Sequence, residues 1–505
     1  MAKTETLSGR VFSALILAGL LAGCAVGPDF KRPAIPDVTV YTATPLPAHT
    51  TSAPTALGES QRLVEGESVN PQWWQELGSA RLDALIAEAL QASPTLTAAQ
   101  ATLRQAQERY AAQAGSTLYP QAEASLTGQR QRFNPNSSGL PGDAREFSLY
   151  NASVGVHYKL DLAGGNRRTL ESLAARIDYQ RYQLAGARLT LVSNIVTTAV
   201  TQARFLAQIQ ATEDILSAQE GQLGLTRERV RLGQAAPDEV LPLQTQVEQT
   251  RAGIPLLRNQ LQQSQHLLAV LAGRSPGANG LPAFSLQEFT LPAVLPLTIP
   301  SELVRTRPDI QAAEALLHAA NAEYGVAVAN LYPQLNLSAN LGSQALTTGA
   351  LFGSGSAIWA LVGQLTQPLF NPGLPAEKRA ALAAFDAAAA NYQNVVLESL
   401  RNVADVLRAL ENDAQRLTAF SAADAAAQSS LTSIQRQVEL GAASYVQVLI
   451  AQTQAQQTKI DLIAAQAQRL LDSAALFEAM GGGAIRDGEN PAESSPTYTR
   501  AGEEL

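Results

Sequence analysis

The sequence predicts a mainly α-helical chain with a β-barrel portion: long coiled-coil helical hairpins plus four membrane-length strands per chain, with an internal duplication. Three observations carry this. Four ordered landmarks recur at an offset of about 210 residues. Two tracts of about 65 residues lack proline and adjoin or carry apolar stripes at coiled-coil spacing. Several shorter segments alternate apolar and polar residues over more positions than an ordinary strand needs.

The landmarks come in pairs. Ser93-Pro94-Thr95-Leu96 opens an alanine-rich tract ending at Leu118-Tyr119-Pro120-Gln121, and Arg307-Pro308-Asp309-Ile310 opens one ending at Leu331-Tyr332-Pro333-Gln334. Val230-Arg231-Leu232-Gly233 answers Val438-Glu439-Leu440-Gly441, and Leu271-Ala272-Gly273 answers Met480-Gly481-Gly482. The expected organisation is a leader at 1–23, an N-terminal linker at 24–70, a first repeat at 71–280, a second at 281–482 and a disordered tail at 483–505. The linker reading rests on six prolines and few large apolar residues between Ala25 and Val69, a composition that wraps or extends rather than folds alone.

The leader has a cationic start, Lys3 and Arg10, and an apolar run from Val11 to Ala22, too short to span a bilayer. It ends in Leu21-Ala22-Gly23-Cys24, where small residues precede the chain's only cysteine. That thiol is placed to take a thioether-linked lipid and become the mature N-terminus, as in a bacterial lipoprotein. With one cysteine, neither an internal disulfide nor a multi-thiolate metal site can form within the chain.

Strands are expected at about 119–132, 146–162, 333–345 and 357–369. From Tyr150 through Ala152, Val154, Val156, Tyr158, Leu160 and Leu162, apolar residues alternate with Asn151, Ser153, Gly155, His157, Lys159 and Asp161. The run matches the roughly 9–11 residues that a tilted strand needs to cross a bilayer. Leu335, Leu337, Ala339 and Leu341 repeat the pattern; Trp359, Leu361, Gly363 and Leu365 follow it less cleanly. A soluble two-faced sheet would show the same alternation. In hydrocarbon, however, four strands cannot close, and an open edge leaves backbone groups unpaired at several kcal/mol each. Closure requires further copies: two chains would give eight strands and a filled interior, three would give twelve and a lumen. A conducting barrel therefore favours a homotrimer.

Arg167–Leu232 and Ala376–Leu440 would each reach about 100 Å as a continuous helix, although Gly186, Gly221 and Gly224 weaken the first. Val396, Leu400, Val403, Leu407, Leu410, Ala414 and Leu417 hold 4,3 spacing, as do Val240, Leu243, Val247, Thr250, Ile254, Leu257, Leu261, Ser264, Leu268 and Leu271. Pro242 is acceptable in a first turn, whereas Pro255 is expected to kink its helix. Gly233 and Gly441 read as helix stops at hairpin tips.

No catalytic constellation stands out, and the chain is not expected to be an enzyme. His49, His157, His266 and His318 are far apart; His157 falls on the polar face of its strand, and His266 and His318 on helix surfaces. Gly481-Gly482-Gly483 lacks the Lys-Ser/Thr of a phosphate loop, and Asp405, Glu411 and Asp413 are spaced for a solvated face or pairing between subunits. A net charge of −8 argues against nucleic acid. No cofactor is expected beyond a covalent lipid on Cys24, and no metal site.

Residues 24–482 resemble the outer-membrane factors of tripartite efflux systems, the TolC/OprM-like family, particularly its lipidated NodT-type branch. The resemblance is carried together by Leu21-Ala22-Gly23-Cys24, Ala25-Val26-Gly27-Pro28-Asp29, Trp73-Trp74, Arg307-Pro308-Asp309-Ile310, the two Leu-Tyr-Pro-Gln segments, Leu160-Asp161-Leu162, Gln367-Pro368-Leu369-Phe370 and Gly441-Ala442-Ala443-Ser444-Tyr445. It implies a trimer with a twelve-stranded outer-membrane barrel continued by a periplasmic α-barrel. Its partners would be an inner-membrane RND-type pump, a periplasmic adaptor and outer-membrane lipid. Ala25 after the cysteine fits the family's pattern for outer-membrane delivery.

Relatives place an aspartate in the pore just after the second-repeat glycine, sometimes with an arginine one turn on. The matching positions here are Ile450 and Thr453, with Val446 and Gln447 one turn earlier. An acidic ring would select cations; a ring of Val446 and Ile450 would instead close the pore by excluding water. The alternative is that Ile450 packs on a neighbouring helix. The function implied is a passive, gated exit duct for drugs or toxic compounds. Two others remain: an outlet for type I protein secretion or metal-ion efflux, and a lipid-anchored tether bridging envelope layers.

Overall fold

The computed structural model describes residues 25–34, 39–139 and 141–483. The expected leader 1–23, Cys24 and all but the first residue of the expected tail lie outside them. In chain order the regular elements are β1 (Arg62–Glu65), α1 (Ala80–Ala92), α2 (Pro94–Thr117), β2 (Gln121–Phe133), β3 (Arg145–Leu160), α3 (Gly165–Arg231), α4 (Val240–Leu271), β4 (Val294–Leu297), α5 (Pro300–Thr306), α6 (Pro308–Ala329), β5 (Gln334–Ala345), β6 (Ala357–Thr366), α7 (Gly373–Glu439) and α8 (Tyr445–Ala479). The series α1 to α4 and the series α5 to α8 each run helix, helix, two strands, long helix, helix. The described residues divide into two units: those within 25–33, 102–181 and 312–393 form the first, and those within 34–101, 182–311 and 394–483 the second.

The first unit holds an antiparallel sheet in the order β2-β3-β5-β6. Each repeat supplies one hairpin, and β3 joins β5 across the duplication from Tyr150↔Ala345 to Leu160↔Leu335. Two strands end earlier than their alternation suggests. β3 stops at Leu160 because the Asp161 carboxylate accepts the N–H groups of Asn166 and Arg167 at 3.0 and 2.9 Å, capping α3. Leu162 therefore lies in a turn, not in the strand. β6 stops at Thr366, just before Gln367, whose side-chain amide donates to Leu331 O at 3.1 Å, and Pro368, which has no N–H for a ladder.

The residues that follow Cys24 are packed onto this unit. Val26 N–H donates to Ala163 O at 3.0 Å, and the buried Arg168 donates to Asp29 and Glu171 at 2.7 Å each. A Cβ on Gly27 would lie 2.9 Å from the Gly325 backbone, so the two segments meet where neither has a side chain. Phe30 stacks on His318 with ring centroids 4.3 Å apart, and His318 Nε2 meets Glu171 Oε1 at 2.9 Å. His318 is thus half-buried in a cluster rather than on an open helix surface, because the N-terminal segment covers it.

In the second unit the helical seam is buried as its spacing requires. Val396, Val403, Leu407, Leu410, Ala414 and Leu417 of α7 are buried, as are Leu243, Val247, Thr250, Ile254, Ser264 and Leu268 of α4. Gly186, Gly221 and Gly224 do not interrupt α3, where burial and packing along the helix outweigh their poor propensity. α4 begins at Val240, so Pro242 falls in its first turn, and the helix continues through Pro255. Trp73, almost fully buried, stacks on Phe477 at 5.2 Å. The span expected as linker contains β1, which pairs in parallel with β4 from Arg62↔Val294 to Glu65↔Leu297. Ahead of β1, residues 41–61 form a strap held by side-chain hydrogen bonds, beginning with Tyr41 Oη to Thr298 O at 2.6 Å.

Candidate functional site

Two regions carry the functional chemistry, one in each unit. The sheet has two unlike faces. Register puts Ala122↔Val156, Ala124↔Val154, Leu126↔Ala152, Val154↔Leu341, Tyr158↔Leu337, Leu341↔Trp359, Ala339↔Leu361 and Leu335↔Leu365 on one face. The other face carries Gln121↔His157, Ser125↔Ser153, Thr127↔Asn151, Lys159↔Asn336 and Asn336↔Gln364, with Val362 and Ala360 of β6 as apolar exceptions. His157 Nε2 meets Glu123 Oε1 at 3.2 Å, an exposed contact that needs no metal to explain it. Leu126, Val154, Leu341, Trp359, Leu361 and Leu365 are exposed. An apolar face of this extent left open to water would be a liability.

The ten residue steps from Leu160 to Tyr150 span about 33 Å along β3. At a tilt of about 40° they cover about 25 Å of depth, the height of an outer-membrane apolar band. Among the described residues β2 and β6 are the edges of the sheet, each hydrogen-bonded on one side only. Their free edges offer rows of backbone donors and acceptors to another chain.

The second region is the pair of hairpin tips. Gly233 and Gly441 follow α3 and α7 with φ of +72° and +71°, the left-handed conformation that glycine adopts without strain. Each closes its helix in the same way: Gly233 N–H donates to Val230 O and Gln234 N–H to Arg229 O; Gly441 N–H donates to Val438 O and Ala442 N–H to Gln437 O. The following helix is started by a side chain reaching back. Ala236 N–H donates to Glu239 Oε1 at 3.3 Å, and Ser444 N–H to Gln447 Oε1 at 2.9 Å. Gln447 therefore has a capping role that sequence reasoning did not assign to it, although Ser444-x-x-Gln447 is the pattern that reveals it.

Val446, Ile450 and Thr453 fall on one face of α8 at i, i+4 and i+7. Val446 is 59% and Ile450 66% exposed, whereas Val448 and Ala455 on the opposite face are 1% and 3% exposed. Thr453 Oγ1 donates back to Leu449 O at 2.9 Å, so its methyl and backbone rather than a free hydroxyl donor continue the stripe. Within the chain Ile450 is not buried against a neighbouring helix. Leu449 instead packs inward on Leu223, Leu243 and Val247. Among the described residues no group of three or more His, Cys, Asp or Glu side chains is arranged to hold a metal.

The family model described as outer membrane efflux protein matches residues 85–274 and 299–482, one segment in each repeat. The chain is 29% identical over 483 residues to the probable efflux pump outer membrane protein TtgC of Pseudomonas putida, covering 94% of this chain and 96% of that one. It is 30% identical over 451 residues to the pyoverdine export outer membrane protein OpmQ of the same species, covering 87% and 94%. Among solved structures the outer-membrane channel OprN superposes with a TM-score of 0.82 at 24% identity, covering 91% of this chain and 99% of that one.

Proposed function

The chain belongs to the outer membrane efflux protein family, and on that premise we propose that it is the outer-membrane channel of a tripartite efflux system. It conducts small toxic compounds or drugs passively from an inner-membrane RND-type pump and a periplasmic adaptor to the exterior. TtgC, described as an efflux pump component, and OpmQ, described as a pyoverdine exporter, are nearly equally similar over most of the chain, which supports the role more than any one cargo.

The observation that carries the reading is the four-stranded sheet with one apolar face, one polar face and two open edges. In lipid the apolar face is satisfied and the edges are not, so β6 of one copy must pair with β2 of the next. Three copies give twelve strands and a polar lumen lined by the face that bears Gln121, Thr127, Asn151 and Asn336. Cys24 is acylated and anchors the mature chain in the outer membrane; the close packing of Val26, Gly27 and Asp29 supports a short, fixed tether rather than a loose one. The expected division into two repeats, 71–280 and 281–482, is that of a single duplicated channel unit.

Val446 and Ile450 of the three copies form an apolar constriction at the periplasmic tip, continued by Thr453. Their exposure on one face of α8 supports this, because the described residues leave both side chains open. Such a ring closes by dewetting and needs no bound cation. The test is single-channel recording in planar bilayers. Discrete conductance steps from the purified protein support a duct; a protein that binds bilayers through its lipid without conducting is a tether.

A further inference from the structure

The two helical hairpins are fastened differently. Arg251 and Arg258 of α4 reach Glu220 and Glu213 of α3 at 2.5 and 2.6 Å, stapling those helices along their exposed sides. Among the described residues no ion pair crosses from α7 to α8; the pairs of Arg401, Arg408 and Arg416 stay within α7. The strap takes their place. Arg408 of α7 donates to Thr44 O, and Thr418 of α7 to Ser52 O at 3.3 Å. From α8, Gln466 Nε2 donates to Thr55 Oγ1 at 2.8 Å. Arg469 donates to Gln61 Oε1, Thr50 Oγ1 and Glu59 O at 2.7, 3.2 and 3.3 Å. Gln61 Nε2 in turn donates to Ser473 Oγ at 2.9 Å.

At the centre of this stitching sits an unusual cluster. Arg469 is fully buried, and its Nε and Nη1 have no hydrogen-bond partner. Asp472, on the same helix, is also buried; its Oδ1 accepts from Gln468 Nε2 at 2.8 Å, its Oδ2 has no donor, and its carboxyl is within hydrogen-bonding reach of the Asp413 carboxyl of α7. Two ionised carboxylates in contact would leave a buried acceptor facing a like charge. With one proton between them, Asp472 Oδ2–H donates to Asp413 and the orphaned oxygen is satisfied.

We propose that the proton on the buried Asp472 carboxyl sets how firmly the strap, α7 and α8 are held together, so that this hairpin is clamped in acid and loosened as the proton leaves. Ionised Asp472 would compete for Arg469, three residues away on the same helix and with Nε and Nη1 unpartnered, and draw it away from Gln61 and Thr50. The charges that act on the cluster are Asp413 and Arg416 of α7, which meet at 3.7 Å, Arg469 of α8 and Glu59 of the strap. Burial first, and Asp413 after it, push the Asp472 carboxyl up to about 7, against 3.8 for an open one, while Gln468 and Arg469 oppose the rise. A raised carboxyl favours the closed cluster fully below about pH 4, and that advantage is lost as pH rises through about 7.

The clamp itself does not depend on the channel reading; only its effect on leakage through the tip does. The test is hydrogen–deuterium exchange of the full-length protein in detergent between pH 5.5 and 8.5, corrected for intrinsic amide rates. Protection of residues 48–61 should fall by about thirtyfold across that range, the equivalent of about 1.5 pH units of differential proton binding. Asp472→Asn, which can donate to Asp413 without charge, should keep the acid-like protection throughout. Asp413→Asn, which donates to an ionised Asp472, should move the loss to a lower pH than in the wild type. Protection that is independent of pH in the wild type, or a fall that survives unchanged in both variants, overturns the clamp. Conductance measured in parallel separates the two readings. A protein that never conducts but shows the exchange transition contradicts the channel and leaves the clamp standing; a conducting protein without the transition does the reverse.

Discussion

Arg307 holds Asp309 through two N–H···O contacts of 2.9 Å, from Nε to Oδ1 and from Nη2 to Oδ2, and its Nη1 donates to Ala479 O at 2.8 Å. One side chain thereby ties the start of α6 to the last turn of α8, where the C-terminal carbonyls of a helix have no partners of their own. Proline at position 308 starts α6 without wasting a donor, and Asp309 favours the positive end of that helix. The Arg-Pro-Asp run that marks the second repeat is therefore a joint.

Arg307→Ala should cost about 1–2 kcal/mol, because it removes the forked contact to a half-exposed carboxylate and uncaps a helix end. Arg307→Lys should recover only part of this, since an ammonium cannot reproduce the forked contact. Thermal unfolding followed by circular dichroism in detergent checks the order wild type, Lys, Ala.

Replacement of Gly441 by alanine should destabilise the second tip by about 1 kcal/mol, and by valine more, because φ of +71° is strained for any Cβ and worst for a branched one. Gly233, at +72°, should respond alike. Proteolytic nicking at the tips should rise in the same order. Equal nicking in all variants would remove the helix-stop role.

Charge on the two sheet faces should have opposite consequences. Leu341→Arg places a guanidinium on the apolar face opposite Val154, near the middle of the band, and should cost about 2–4 kcal/mol in lipid. Asn340→Arg, the next residue but on the polar face, should assemble normally and change only conductance and ion selectivity. Heat-resistant oligomer on gels, compared with single-channel current, reads both.

Ile450→Ser should wet the apolar ring and raise the current through the resting channel, and Val446→Ser should act in the same direction. Gln447→Ala should instead loosen the first turn of α8, since its Oε1 accepts Ser444 N–H. Unchanged resting current in both serine variants would mean that the stripe is not the constriction.

Loss of the thiol should show in mass alone. Cys24→Ala should abolish incorporation of labelled fatty acid while leaving the β-sheet signature of the folded protein unchanged. Label retained on the variant would move the acylation elsewhere.

Much of the fold was legible because two periodicities are local. Alternation located all four strands to within a few residues, and 4,3 spacing picked out the seam residues Val403, Leu407, Leu410, Leu243 and Val247 that are buried. What alternation missed were its own limits: Leu162 continues the pattern in composition, but Asp161 is committed to capping α3. The strap was illegible for a different reason. Thr50, Thr55 and Gln61 find partners some four hundred positions away, at Arg469 and Gln466, and such bonds leave no rhythm in the sequence. The same holds for β1, a four-residue strand whose partner β4 lies in the other repeat's approach. At the candidate gate, the family resemblance pointed to Val446, Gln447, Ile450 and Thr453, but that Val446 and Ile450 share an exposed face opposite the buried Val448 needed the three-dimensional packing.

The most direct measurement is the mass of the folded, detergent-solubilised protein by native mass spectrometry. With β2 and β6 open in each chain, a folded species of three chains is expected, supplying twelve strands to one barrel. A folded monomer, stable with both edges unpaired and its apolar sheet face in contact with detergent, would contradict it.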